Sequence, residues 1–280
     1  MKSFEDKWQD KDGITFFLRG WEPEAGKPKA LVALVHGLGE HTARYAHVGK
    51  ALARAGYAMV GFDLRGHGRS GGARGHASSL DAYMQDIRQF FSLLEGKYPG
   101  IPHFLYGHSL GGLLVLAYTI QYGAGLKGVI VTGPALRSSL QEQKAKIAMV
   151  RLLGSLLPAM TVPSGLEAGM VSRDVAIVEA YRKDPLVHYI ASLGFGKAAL
   201  SAIDLCFARA GDFSAPLLIM HGTGDKIAYF SGSENFARLV SEAGGDVTLR
   251  LWNDLYHEIH NEPEKEQVFQ FMIEWLDKHL

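Results

Sequence analysis

Cysteine is almost missing from this chain. Cys206 is the only one in 280 residues, which excludes internal disulfides and any multi-cysteine metal site. An excess of charge is missing too. Lys plus Arg is 29 and Asp plus Glu is 29, so there is no broad field to hold duplex DNA or another nucleic acid. No apolar run is long enough for a bilayer. The longest, Ile147 to Val162, is interrupted by Arg151, Gly154 and Pro158, whereas a spanning helix needs about twenty mostly apolar residues. The chain starts Met1-Lys2-Ser3-Phe4-Glu5-Asp6-Lys7 with no apolar signal core, and no Asn-x-Ser/Thr sequon occurs, so a cytoplasmic, reducing location is expected.

What is abundant is glycine, 33 residues of 280, well above the usual share of about 7%. With only 10 prolines and no repeat period, collagen and low-complexity readings fail. The glycines are therefore expected at tight turns and close backbone contacts. A hydrophobic content of 47% with 21% charged residues describes a globular chain rather than a disordered one.

Short β-rich apolar runs recur along the chain, each ended by Gly, Pro or a polar residue. They are Leu31 to Val35, Ala58 to Phe62, His103 to Tyr106, Gly128 to Thr132, Pro216 to Met220 and Val247 to Trp252. Most are continuous rather than alternating, the pattern of strands covered on both faces. Helical patterns separate them at Tyr45 to Ala55, Leu80 to Tyr98, Phe236 to Ala243 and Glu264 to Leu280. This alternation predicts an α/β chain with a mostly parallel sheet of about eight strands. Phe4 to Gln9 and Thr15 to Trp21 flank Asp10-Lys-Asp-Gly13, a hairpin signal for two antiparallel strands at the start. The series breaks between about Arg137 and Arg209, where Gln141 to Leu157 and Ser172 to Lys183 read as helices and no strand is evident. A structureless connection of that length is improbable. The expectation is a core of residues 1–136 and 210–280 with a helical cap of 137–209.

The sharpest local feature is Gly107-His-Ser-Leu-Gly111 after a strand and before the helix-like run Leu113 to Ile120. Gly-x-Ser-x-Gly in that setting puts a serine on a strained turn at a helix N-terminus. Glycines at 107 and 111 leave room for the neighbouring backbone. Strand Leu31 to Val35 ends in His36-Gly-Leu-Gly-Glu-His41. Acyl transfer needs two donors at the developing oxyanion, and the candidates are the backbone N–H groups of Leu38 and Leu110. An acid and then a histidine should follow the serine in chain order. Asp225 and His257 lie just after later strands and are the candidates. Asp254 is the rival acid and His260 the rival base. In this reading His257 takes the Ser109 proton, Asp225 fixes the imidazole tautomer, and water resolves an acyl-enzyme. No metal or cofactor is expected, because His257-x-x-His260 is one residue short of the helical zinc spacing.

These residues resemble those of α/β-hydrolases of the monoacylglycerol lipase group, which includes monoglyceride lipases and lysophospholipases. The resemblance runs nearly end to end. It rests on His36-Gly-Leu-Gly-Glu-His41 with Arg44-Tyr45, Asp63-Leu-Arg-Gly-His-Gly-Arg-Ser70, Gly107-His-Ser-Leu-Gly111, Ser172-Arg-Asp174 with Asp184-Pro-Leu-Val187, His221-Gly-Thr-Gly-Asp225 and Tyr256-His257. It implies Ser109, Asp225 and His257 as a triad and Leu38 and Leu110 as the oxyanion hole. It also implies that Glu40, Arg44 and His260 face the glycerol end of a pocket, and that Asp63, Arg65, His67 and Ser70 are structural. Two places depart from the group's pattern: Tyr229-Phe230 is bulkier than usual, and Arg173-Asp174-Val175 lacks a proline after the aspartate.

The apolar stretch Ile147 to Val162 lies in the cap, and a helix apolar on more than one face is buried or meets lipid. Leu152 and Leu156, with Leu153 and Leu157, are expected to line an acyl tunnel or to touch a membrane or micelle. The implied activity is hydrolysis of monoacylglycerol to glycerol and fatty acid. A lysophospholipase, a broader carboxylesterase and a non-catalytic receptor on the same scaffold are the alternatives.

Overall fold

The computed structural model describes residues 1–280. The chain alternates as the sequence predicts. In order, its elements are β1 (Lys2–Gln9), β2 (Thr15–Glu22), β3 (Leu31–Val35), α1 (Ala46–Arg54), β4 (Ala58–Phe62), α2 (Leu80–Lys97), β5 (His103–His108), α3 (Leu110–Tyr122), β6 (Gly128–Thr132), α4 (Lys144–Leu156), β7 (Thr161–Pro163), α5 (Val175–Lys183), β8 (Ile190–Ser192), α6 (Leu193–Ala208), β9 (Leu217–Gly222), α7 (Phe230–Glu242), β10 (Val247–Trp252) and α8 (Lys265–Lys278). The main sheet has eight strands in the order β1-β2-β4-β3-β5-β6-β9-β10. The β1–β2 and β2–β4 pairs are antiparallel, and the others are parallel.

The central strands explain why apolar runs replaced alternation. Leu31, Ala33 and Val35 of β3 enter one core with Leu105, Val129, Val131, Leu217 and Ile219. Val32 and Leu34 enter the opposite core with Phe104, Tyr106, Ile130, Leu218 and Met220. Both faces are therefore buried and every position is apolar. On the first face lie Tyr83, Ile87 and Phe90 of α2, Leu113 to Ala117 of α3, and Phe236 and Val240 of α7. On the second lie Val48 and Leu52 of α1 and Val268, Phe269, Met272 and Trp275 of α8. α2 starts where the Ser79 side chain accepts a hydrogen bond from the Ala82 N–H, an ordinary N-cap.

The parallel strands deliver their C-terminal ends to one rim of the sheet. The loops after β3, β5, β9 and β10 all leave from it, and they carry Leu38, Ser109, Asp225 and His257. Between β6 and β9 the chain inserts α4, α5, α6 and a two-stranded antiparallel sheet of β7 and β8. The small sheet corrects the expectation that this segment has no strand. Its strands have three residues each, too short for a period to show. α6 was also not foreseen as a separate helix. Gly194 and Gly196 sit in its first turn, and Gly194 approaches so closely that a Cβ there would lie 2.8 Å from the Ala77 carbonyl oxygen. α6 packs on α4 and also on α3, so it forms the seam between insertion and core.

Candidate active site

The elbow follows from its glycines. Ser109 lies between β5 and α3 at φ 53°, ψ −116°, a strained conformation for a residue with a side chain. Neighbouring backbone holds it there. Its N–H donates to the Thr132 carbonyl at 3.0 Å, and its own carbonyl accepts from the N–H groups of Leu113 and Ala135, each at 3.0 Å. A Cβ at Gly107 would lie 2.4 Å from the Gly111 carbonyl oxygen, and one at Gly111 only 2.0 Å from that of Val35. No other residue type lets β3, β5 and α3 close on each other this way.

Asp225 sits past the end of β9 with four hydrogen bonds on its carboxylate. The Ile227 and Ala228 N–H groups donate to Oδ1 at 2.8 and 2.9 Å. His257 Nδ1 donates to Oδ2 at 2.7 Å, and His221 Nε2 donates to the same oxygen at 3.0 Å. Burial alone would raise the Asp225 pKa, but the facing His257 and the hydrogen bonds from both imidazoles hold it well below the usual carboxylate range. Burial would lower the His257 pKa, yet the charge and hydrogen bond of Asp225 outweigh it and raise it above the ordinary value. Ser109 and His257 line one cavity of about 450 Å³, within the size range of small-molecule sites. Asp254, the rival acid, is exposed in a positive-φ turn where its N–H bonds to Thr223, and it does not bond to His257.

Leu38 and Leu110 also line the cavity. Leu110 opens α3, so its N–H belongs to the unpaired first turn. The Leu38 N–H has no acceptor within the chain. Its loop is shaped from below. His36 donates through Nδ1 to the Gly37 carbonyl and accepts the Leu64 N–H at Nε2. Burial pushes the His36 pKa down to about 3, so it holds the loop as a neutral ring.

Glu40 and Arg44 come together, while His260 is placed elsewhere. Glu40 Oε1 accepts from the Gly37 N–H and the Tyr45 hydroxyl at 2.7 and 2.6 Å. Its Oε2 accepts from Arg44 at 2.8 Å. Arg44 also makes a bidentate pair with Glu258, at 2.6 and 2.7 Å. Burial raises the Glu40 pKa against the pull of Arg44, whereas Arg44 overcomes burial to lower that of Glu258. Glu40 and Glu258 line the cavity; Arg44 braces them from behind. His260 does not face the pocket. It is fully buried, stacks on Tyr45 at 4.9 Å and meets the edge of His108 at 4.7 Å. Three residues beyond His257, the chain has already turned inward in a short 3-10 helix (Ile259–Asn261), and burial pushes the His260 pKa far down.

Leu152 and Leu156 do not line the cavity either. They are 61% and 66% exposed on the outer face of α4, because the inner face, through Gly154, packs on Leu193 and Lys197 of α6. The apolar wall comes instead from Val150 of α4, Val162 of β7 and Phe195, Leu200 and Ile203 of α6.

The sequence reading missed three side chains at the rim. The His108 ring lies 4.8 Å from that of His257, tilted by 53°, with its Nδ1 bonded to the Thr132 carbonyl. Glu258 holds Arg44, and His221 shares the Asp225 carboxylate. The one available signal was position, since His108 and Glu258 are adjacent to candidates and His221 lies in the last two residues of β9.

The family described as serine aminopeptidase, S33, matches residues 26–264. A monoacylglycerol lipase of Mycolicibacterium smegmatis is 35% identical over 96% of this chain and 95% of its own length. An uncharacterised abhydrolase domain-containing protein of Dictyostelium discoideum is 39% identical over 96% of this chain, which spans only 28% of that relative's length. The crystal structure of a Paleococcus ferrophilus monoacylglycerol lipase superposes with a TM-score of 0.84 at 32% identity, covering 100% of both chains.

Proposed function

Since the chain belongs to the serine aminopeptidase, S33, family of hydrolases, we propose that it cleaves the ester bond of monoacylglycerols through an acyl-enzyme on Ser109. The observation that carries this reading is the His257–Asp225 hydrogen bond beside a cavity that also receives the strained Ser109. His257 Nε2 takes the serine proton as Oγ attacks the ester carbonyl. The N–H groups of Leu38 and Leu110 receive the oxyanion. Asp225 keeps the imidazole in the Nδ1–H tautomer and stabilises its cation. The alcohol leaves with the proton, and water repeats the sequence on the acyl-enzyme. Ser109 Oγ and His257 face one cavity without a mutual hydrogen bond, a contact that commonly tightens only when substrate binds.

The cavity wall supports a lipid ester. Its apolar part suits an acyl chain, at about 0.8 kcal/mol per buried methylene. Glu40 and Glu258 line the cavity with Ser109, and the guanidinium behind them is committed to both carboxylates. A neutral glycerol hydroxyl finds acceptors there, while Arg137, Lys146 and Lys226 also line the cavity, so the choice between monoacylglycerol and lysophospholipid rests with the substrate panel. Residues 137–209 act as the cap that covers this cavity. No helix is long and apolar enough to cross a membrane. The outward face of α4, with Met149, Leu152 and Leu156, and Leu157 just past its end, is assigned to contact with a membrane or micelle surface that supplies the substrate.

The test is a fluorophosphonate probe and a substrate panel, applied to the intact chain and to Ser109→Ala. We expect labelling at Ser109 and monoacylglycerol turnover above that of lysophosphatidylcholine, diacylglycerol and triacylglycerol. Turnover should fall by roughly 10³-fold or more in the variant. An unlabelled chain would indicate a receptor, and faster cleavage of lysophosphatidylcholine would indicate a lysophospholipase.

A further inference from the structure

We infer that His221 is a positioning residue for catalysis, a second imidazole that holds the Asp225 carboxylate in register for His257. The inference rests on the proposed esterase reading and adds a fourth side chain to it. His221 is the penultimate residue of β9, four residues before Asp225, and is fully buried. Its Nε2 faces two oxygens and no donor: Asp225 Oδ2 at 3.0 Å and the Ala228 carbonyl at 2.9 Å. Both are acceptors, so the geometry assigns the hydrogen to Nε2. Nδ1 lies 2.8 Å from the hydroxyl of Ser233, which is also fully buried, in the first turns of α7. A hydroxyl can donate or accept, so it completes the ring in that tautomer.

The consequence is a line of side chains, Ser233–His221–Asp225–His257, running from α7 to the cavity. Asp225 Oδ1 is fixed by two backbone N–H groups. Oδ2 has only the two imidazoles. Without His221 one lone pair of Oδ2 would face the Ala228 carbonyl region with no donor, an unfavourable buried arrangement. The carboxylate would then be free to turn about its own axis, and its charge would be less dispersed. His257 needs the opposite: a carboxylate held still in one plane, aimed at Nδ1. Packing alone does not demand a histidine here, because its register partner on β10, Leu251, is apolar.

The experiment is steady-state kinetics against pH on a soluble short-chain ester, with the folded state checked by thermal melting. In His221→Ala, kcat should fall about tenfold with KM unchanged, the rate equivalent of one hydrogen bond to a charged group. The acid limb of kcat/KM should also move to higher pH, because an Asp225 stripped of one donor holds the His257 proton more tightly. His221→Gln, whose amide can present an N–H to the same oxygen, should restore most of kcat and return the limb. Ser233→Ala leaves the imidazole but frees Nδ1, and should give a smaller change of the same sign. Should His221→Ala fail to fold, the other two variants decide the matter. An acid limb and kcat unmoved in Ser233→Ala, or a His221→Gln as impaired as the alanine variant, overturns the inference. An unmutated chain without esterase turnover would instead remove the reading beneath it.

Discussion

Arg173 and Leu152 lie in the same insertion, and their surroundings are opposite. Around Arg173 the chain is bonded to the loops that carry the candidate chemistry. The Glu258 N–H donates to the Val171 carbonyl at 2.8 Å, and the Ser172 hydroxyl donates to the Asn261 carbonyl at 3.0 Å. Arg173 pairs with Glu262, which is fully buried and also accepts the Tyr256 N–H. Farther along, His41 donates to Asp184 at 2.9 Å, and the His188 N–H donates to the Gly39 carbonyl at 2.9 Å. Segment 171–192 thus pins both the His257 loop and the loop that carries Leu38. α4 is different. Its inner side rests on α6, and its outer side exposes Met149, Leu152 and Leu156. One arm of the insertion completes the rim of the sheet, and the other presents apolar surface to water. The lesson is that the insertion is not one functional unit: the first arm should govern rate, the second access to dispersed substrate.

The largest effect that tests this division is at Asp184. Its carboxylate is held below the usual pKa range; burial opposes this, and the Leu186 N–H and His41 outweigh it. Asp184→Ala removes the acceptor of His41 and loosens the loop behind Leu38. Small displacements of a catalytic group cost as much as about 10²-fold, and a lost oxyanion donor costs about as much. We expect kcat on a soluble short-chain ester to drop on the order of tenfold or more, with KM little changed. A variant with unchanged kcat would break the comparison, because the bonded arm would then be mere scaffolding.

The same contrast explains what was legible in the sequence. The placement of Ser109, Asp225 and His257 on one rim was legible because a parallel sheet brings its strand ends there, and each residue lies in the connection that follows a strand. Leu38 and Leu110 lie on the same rim for the same reason. His260 was misplaced because three residues of 3-10 helix turn the chain inward, a rotation that no residue type at 258 or 259 announces. Leu152 and Leu156 were ambiguous on principle. A helix apolar on several faces does not say which face meets protein, and that was decided by α6, itself hidden by Gly194 and Gly196. Glu258 was invisible because its partner Arg44 is 214 residues away, and His221 because nothing in the sequence shows that the loop after β9 folds the Asp225 carboxylate back onto its ring.

A medium-sized effect belongs to the exposed arm. Leu152→Ser with Leu156→Ser removes two protruding apolar side chains and touches no bond to the rim loops. Interfacial binding scales with buried apolar area, and partial burial of two leucines contributes roughly 1.5 kcal/mol. Vesicle flotation should therefore show binding weakened by about tenfold or somewhat more, with turnover of emulsified long-chain monoacylglycerol reduced in step. Turnover of the soluble short-chain ester should stay within about twofold. A parallel loss on both substrates would mean that the two arms are coupled after all.

The smallest effect concerns where the bonded arm sets the pH of half-activity in the unaltered chain. A general base works only when unprotonated, and the Asp225 charge raises the His257 pKa despite its burial. A raised pKa means that more alkaline solution is needed to free Nε2, so kcat/KM should climb with pH along a limb centred above the ordinary imidazole value of about 6.5. Asp225→Asn removes the charge, and any residual activity should titrate at lower pH. His36, His108 and His260 cannot produce this limb, because burial drives all three toward the neutral form well below that range. A limb at or below the ordinary value would mean that Asp225 does not polarise His257. The insertion would then be pinning a loop whose histidine behaves like a free one.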